Sequence, residues 1–100
     1  LATDGEKALA TARWRLIDNQ TAKIERVAVL KEARGRGVGT ELMRYLLQDI
    51  YSHSNIQMIK LGSQNSAIPF YEKLGFQVIG KEYLDAGISH HLMLKNNSDV

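Results

Sequence analysis

Between Val27 and Met43 the chain reads VAVLKEARGRGVGTELM, and its hydrophobic period changes midway. Up to Leu30, apolar and polar residues alternate as they do along a half-buried strand. From Val38 the apolar residues step by four, through Leu42, Leu46 and Ile50. Met43, Tyr45 and Leu47 widen that stripe, while Glu41, Arg44, Gln48 and Asp49 lie opposite. This pattern predicts an amphipathic helix of about three to four turns. Gly35, Gly37 and Gly39 separate the two periods, set among Arg34 and Arg36. Glycines at such a turn admit positive φ and leave no Cβ between a ligand and the backbone amides. The following helix N-terminus adds unpaired N–H groups and the positive end of the dipole, and Thr40 adds a hydroxyl. Together these describe a cradle for a pyrophosphate. A glycine-rich turn with solvated arginines remains the plainer alternative at this point.

The segments on either side predict a mixed sheet. TDGEK (Thr3 to Lys7) carries Asp-Gly, a hairpin signal. ALATARWRLID then alternates, with Ala10, Ala12, Trp14 and Leu16 on one parity. After the turn at Asp18 to Gln20, AKIERVAVL puts Ile24, Arg26, Ala28 and Leu30 on one side, and Lys23, Glu25, Val27 and Val29 on the other. Beyond the helix, IQMIKLG reads as a buried strand stopped by Gly62. A short helix starting near Ile68, with Pro69 in its first turn, runs to YEKLG, where Gly75 is the expected left-handed C-cap. FQVIGKEYL and ISHHLML flank a second hairpin signal at Asp85-Ala86-Gly87. The predicted order is β–β–β–α–β–α–β–β, an α/β mixed sheet forming one domain over residues 1–95, with a polar tail over 96–100.

Composition narrows the function classes. There are no cysteines, hence no disulfide framework, thiolate zinc site or cysteine nucleophile. This fits a cytoplasmic location. No run of ~18 apolar residues offers a membrane span. The net charge of +2 is too small to indicate nucleic acid, although Lys31, Arg34, Arg36 and Arg44 gather near the glycines. A local basic spot suits a compact anion better than a polyanion track. His90 and His91 are adjacent on a predicted strand and face opposite ways, so no metal site is expected. Two nucleotide motifs fail outright. A Walker loop needs a lysine after its last glycine, and none follows. A dinucleotide fingerprint needs G-x-x-G where Thr40 stands, and no acidic residue ends the next strand.

The residues resemble the GNAT superfamily of N-acetyltransferases, which bind acetyl-CoA. The family's R/Q-x-x-G-x-G/A stands after a strand and before a helix, and here it reads Arg34-Gly35-Arg36-Gly37-Val38-Gly39. A separate family motif, Y-x-x-x-G-F, is matched by Tyr71-Glu72-Lys73-Leu74-Gly75-Phe76. LGSQ (Leu61 to Gln64) and GISHHLM (Gly87 to Met93) are most similar to the small bacterial ElaA-like branch. The resemblance covers Leu1 to Lys95. Family chains begin with a strand and two helices that this sequence lacks, and Leu1-Ala2 reads as the end of a strand, so an N-terminally truncated chain is expected.

The resemblance implies an acetyl transfer from acetyl-CoA to a primary amine by direct attack, without a metal. The pantetheine arm is expected along the backbone of Val27 and Val29, and the pyrophosphate on the amides of Arg34, Gly35, Arg36, Gly37, Val38, Gly39 and Thr40. The family's motif asparagine falls on Gln64, with Asn65 one place late; either could meet the pantetheine, and Phe70 is a further cofactor contact. Tyr71 stands at the general-acid position, with core packing or a cofactor contact as its alternative. Glu25 is the candidate base, or else a solvated strand carboxylate. His90 lines the acceptor pocket or is an ordinary surface histidine. The expected acceptor is a small-molecule amine or an amine of a peptide or protein, with no nucleic acid or membrane partner; a homodimer is left open. A non-catalytic acyl-CoA-binding module and an oligomerising structural fragment are the competing readings.

Overall fold

The computed structural model of the chain describes residues 2–4, 7–29, 37–53 and 55–96. Within them, the alternating segments form β1 (Ala2–Asp4), β2 (Lys7–Asp18), β3 (Thr21–Val29), β4 (Met58–Gln64), β5 (Gln77–Asp85) and β6 (Ile88–Asn96). Helix α1 (Val38–Tyr51) joins β3 to β4. A single 3-10 turn (Asn65–Ala67) leads into α2 (Ile68–Lys73), which joins β4 to β5. The strands make one sheet in the order β1-β2-β3-β4-β6-β5. The β3–β4 pair is parallel, and every other neighbour is antiparallel. Parallel neighbours require a crossover, and α1 supplies it. The expected element order and mixed sheet are present.

Helix α1 seals one face of this sheet. Its stripe of Leu42, Met43, Leu46, Leu47 and Ile50 is buried, and all but Leu42 join one cluster with Ala22, Ile24, Ile59, Leu61 and Met93. Tyr45, expected to widen the stripe, is instead 71% exposed. At 100° per residue, Met43 and Leu47 fall on one side of the Leu42–Leu46–Ile50 line and Tyr45 on the other, away from the sheet. Trp14 fastens the far end of α1 to β2: its Nε1 donates to Asp49 Oδ2 at 2.9 Å, and its ring meets His53 edge-on.

Three turns follow their sequence signals, and two strands run further than expected. Ala86 and Gly87 both have positive φ, 52° and 77°, as a two-residue hairpin turn requires. Asp4 pairs with Lys7 across the first hairpin. Gly75, at φ 97°, ends α2. There Phe76 N–H donates to Tyr71 O at 3.2 Å and Gly75 N–H to Glu72 O at 3.0 Å, the two bonds of a Schellman motif. Strand β4 continues past Gly62 to Gln64, because antiparallel pairing with β6 carries it through the glycine. Strand β6 runs through Asn96, one residue into the expected tail, and Lys95 is only 8% exposed.

Candidate active site

The parallel pairing of β3 with β4 ends early. Thr21, Ala22 and Lys23 pair with Met58, Ile59 and Lys60, and beyond them the two strands part. Strand β3 bends at this place. On its other edge Thr11 pairs with Ala28 and Arg13 with Glu25, so Arg26 and Val27 together face Ala12. That is a β-bulge, which bends a strand and increases its twist. It also breaks the alternation expected of β3, which grouped Ile24 with Ala28. Ile24 is buried, but Ala28 is exposed and Val27 packs against the core in its place.

The gap between the strands is a cavity of about 820 Å³, within the size range of small-molecule sites. Ile24, Val27 and Ala28 line it from β3, and Leu61 through Gln64 from β4. Because β4 no longer pairs with it, this part of β3 presents an open edge of backbone groups. Val29 remains paired with Ala10 of β2.

The N-terminus of α1 closes one end of the cavity. Gly37 is its N-cap, at φ 77° and without a side-chain capping bond. The first helical bond runs from Glu41 N–H to Gly37 O, at 3.1 Å. The amides of Val38, Gly39 and Thr40 therefore precede the hydrogen-bonded ladder, and these residues with Gly37 line the cavity. Free amides on a helix dipole make a ready anion site. Arg34, Gly35 and Arg36 lie outside the described residues.

Helix α2 brings Phe70 and Tyr71 to the same cavity. The Tyr71 ring is held edge-on by Phe70 at 5.0 Å and Phe76 at 6.1 Å. Burial pushes its phenol above the ordinary 10.0, so it keeps its proton at neutral pH. Gln64 lines the cavity, whereas Asn65 does not. The Asn65 amide donates to Glu82 Oε1 and accepts from His91 Nδ1 at 2.7 Å, which occupies both its ends. His90 lines the cavity from β6. Its neighbour His91 points to the other face, since His90 pairs with Gln64 and His91 with Ser63.

Glu25 is placed differently from the other candidates. Its carboxylate accepts from Arg15 Nε at 2.7 Å and Arg13 Nη2 at 3.2 Å, and it does not line the cavity. The Arg15 bond, with help from Arg13, holds the carboxyl below its ordinary value. A carboxylate so held is a weaker proton acceptor. Gly62 and Ser63 also line the cavity, although a glycine ending a strand-like run reads in sequence as a stop. The signal was the missing Cβ: one on Gly62 would collide with Tyr83 Oη, which lies across β4 there.

The chain matches the acetyltransferase (GNAT) domain family over residues 1–96. It belongs to the GNAT acetyltransferase family. The uncharacterized N-acetyltransferase YjcF of Bacillus subtilis (strain 168) is 42% identical to this GNAT chain over 94 residues, covering 93% of it and 66% of YjcF. Escherichia coli ElaA superposes with a TM-score of 0.84 at 28% identity, over 93% of this chain and 64% of that one. An aminoglycoside 6'-N-acetyltransferase complexed with coenzyme A shares the fold, with a TM-score of 0.81 at 18% identity over 96% of this chain and 70% of that one. This GNAT chain thus spans less than two thirds of the length of YjcF and of ElaA. Among the described residues no helix is long and apolar enough to cross a membrane, and no group of three metal-binding side chains is found.

Proposed function

We propose that this chain transfers an acetyl group from acetyl-CoA to a primary amine, of a small molecule or a peptide, in the cytoplasm. The observation that carries this reading is the meeting of two unsatisfied backbone surfaces in one cavity: the open edge of β3 and the free N-terminal amides of α1. A flexible amide-bearing arm fits the first by strand addition, along the backbone of Val27 and Val29. A pyrophosphate fits the second, on Gly37 through Thr40, with Arg34, Gly35 and Arg36 supplying the charge and the rest of the turn. Gln64 and Phe70 flank the arm. Asn65, tied to Glu82 and His91, serves to anchor the end of β4 rather than to touch the cofactor. The family to which the chain belongs supports the reading, as does coenzyme A in the aminoglycoside enzyme of the same fold.

Acetyl-CoA supplies an activated thioester. Attack on it by a neutral amine needs no metal and no covalent enzyme intermediate. Tyr71, buried and protonated, is positioned to give its proton to the departing thiolate.

Calorimetric titration with acetyl-CoA, with adenosine as the control lacking pyrophosphate, tests the reading. Binding that requires the pyrophosphate, together with thiol release on addition of an amine panel, is the expected result. Binding without thiol release from any amine would make the chain a binding module instead. A folded chain that binds no acetyl-CoA would reject the cradle.

A further inference from the structure

We propose that His90, through Nε2, is the base that removes the proton from the acceptor amine. The role rests on the acetyl-transfer reading above and adds to it the group that makes the amine reactive. Among the described residues that line the cavity, Tyr71 and His90 are the two with acid–base side chains. Tyr71 reaches it from α2, on the covered face of the sheet, where it joins the buried core. His90 reaches it from the opposite face, that of Gln64. An acid on one side of the gap and a base on the other are what a transfer between two separately bound molecules needs.

The tautomer of His90 is set by its own strand. Its Nδ1 lies 2.7 Å from Ile88 O. A carbonyl oxygen only accepts, so Nδ1 carries the hydrogen, and in the neutral ring this leaves the lone pair on Nε2. The ring is also held flat. Tyr83 stacks on it at 5.7 Å and 26°, reaching over Gly62 because that residue has no Cβ to block the phenol. The residues paired with His90 in register are Gln64 of β4 and Tyr83 of β5. Glu25, the other candidate, is engaged by two arginines and stands off the cavity.

The protons balance as follows. His90 Nε2 takes one from the ammonium, leaving a neutral nitrogen whose lone pair forms the new C–N bond at the thioester carbonyl. The C–S bond breaks with its electron pair on sulfur, and Tyr71 protonates the thiolate. The nitrogen then gives its second proton back to the Tyr71 phenolate as the amide forms, and His90 releases its proton to water. One proton leaves per acetyl transferred.

Two measurements test this. The first needs no turnover: nitrogen NMR of the imidazole in the native chain should show a bare Nε2 and a protonated Nδ1, and the opposite tautomer would overturn the proposal. The second compares the native chain with His90→Gln, whose amide can still donate to Ile88 O. Acetyl-CoA affinity by calorimetry should change less than about twofold, while thiol release with an alkylamine falls about 100-fold. With a hydrazide or an aromatic amine, already neutral at pH 7, the deficit should shrink to a few-fold. A deficit equal for both kinds of amine, or His90→Gln turnover within threefold of native, would sink the role. A native chain that neither binds acetyl-CoA nor releases thiol would instead sink the transfer reading on which this role depends.

Discussion

Tyr71 carries more constraints than any other side chain in the cavity. Its carbonyl closes the Schellman motif, its ring packs between Phe70 and Phe76, and its buried hydroxyl is the acid proposed above. Tyr71→Phe keeps the ring and removes only the hydroxyl. Thiol release should then drop about 100-fold with acetyl-CoA binding retained, measured by a thiol assay beside calorimetry. The same phenol makes stability depend on pH. Its folded value lies above the unfolded 10.0, because burial disfavours the phenolate. Its contribution is therefore complete below pH 10.0 and is lost as pH climbs towards the folded value. Thermal melts between pH 9 and pH 11 should fall more steeply for the native chain than for Tyr71→Phe. Gly37 constrains the other end of the cavity. Nothing lies within 4 Å of where its Cβ would be, so the cost of Gly37→Val is conformational: a β-branched residue at φ 77°. About 1–2 kcal/mol of stability should be lost. Acetyl-CoA should bind at least about tenfold more weakly, as calorimetry would show, because the amides turn away from the anion.

The Y-x-x-x-G-F pattern has a direct structural meaning in α2. Tyrosine stands at the last but two helical position, glycine takes the left-handed place just past the end, and phenylalanine follows to pack back on the tyrosine. The six residues are thus one C-terminal cap with its hydrophobic contact. A Cβ on Gly75 would be strained at φ 97° and would also meet Lys95 Nζ, the end of a side chain otherwise buried. Gly75→Ala should destabilise the domain by about 1–2 kcal/mol, seen as a fall in melting temperature of roughly 4–8 °C per kcal/mol. Turnover should fall as well, since the cap orients Tyr71. In β3 the bulge at Arg26–Val27 has the corresponding role. It swings the strand from β4 and turns Val27 inward, so the open edge and the cavity arise from the same extra residue.

In the molecule as a whole, one face of the sheet is sealed by α1 and the cavity passes through the sheet where β3 and β4 separate. A ligand filling that gap would bridge β3, α1, β4 and α2. Binding should therefore stabilise the fold in a concentration-dependent way. At acetyl-CoA a hundredfold above its dissociation constant, the gain is about 2.7 kcal/mol. For a domain of this size that raises the melting temperature by roughly 11–22 °C. Differential scanning fluorimetry against acetyl-CoA, with adenosine as control, checks it. Ile88, 47% exposed beside the β5–β6 turn, lies on the face of His90, opposite the one that α1 covers.

Much of this architecture was legible in the residues because it is local. A period of two or of nearly four, a glycine at a helix end and an Ala-Gly turn act within a few residues. They place the order of elements, the cap at Gly75 and the left-handed Gly37 that opens α1. The rest arises between segments far apart in the chain. Whether Glu25 is free depends on Arg13 and Arg15 of the neighbouring strand. Whether Gln64 or Asn65 faces the cavity depends on Glu82 and His91 claiming the asparagine. The bulge exists only as a mismatch between β2 and β3, and no single strand's alternation reveals it. His90 gains its flanking ring because Gly62, on another strand, leaves room for Tyr83. Local preference chooses the elements; register and packing between distant strands choose which side chains meet at the gap.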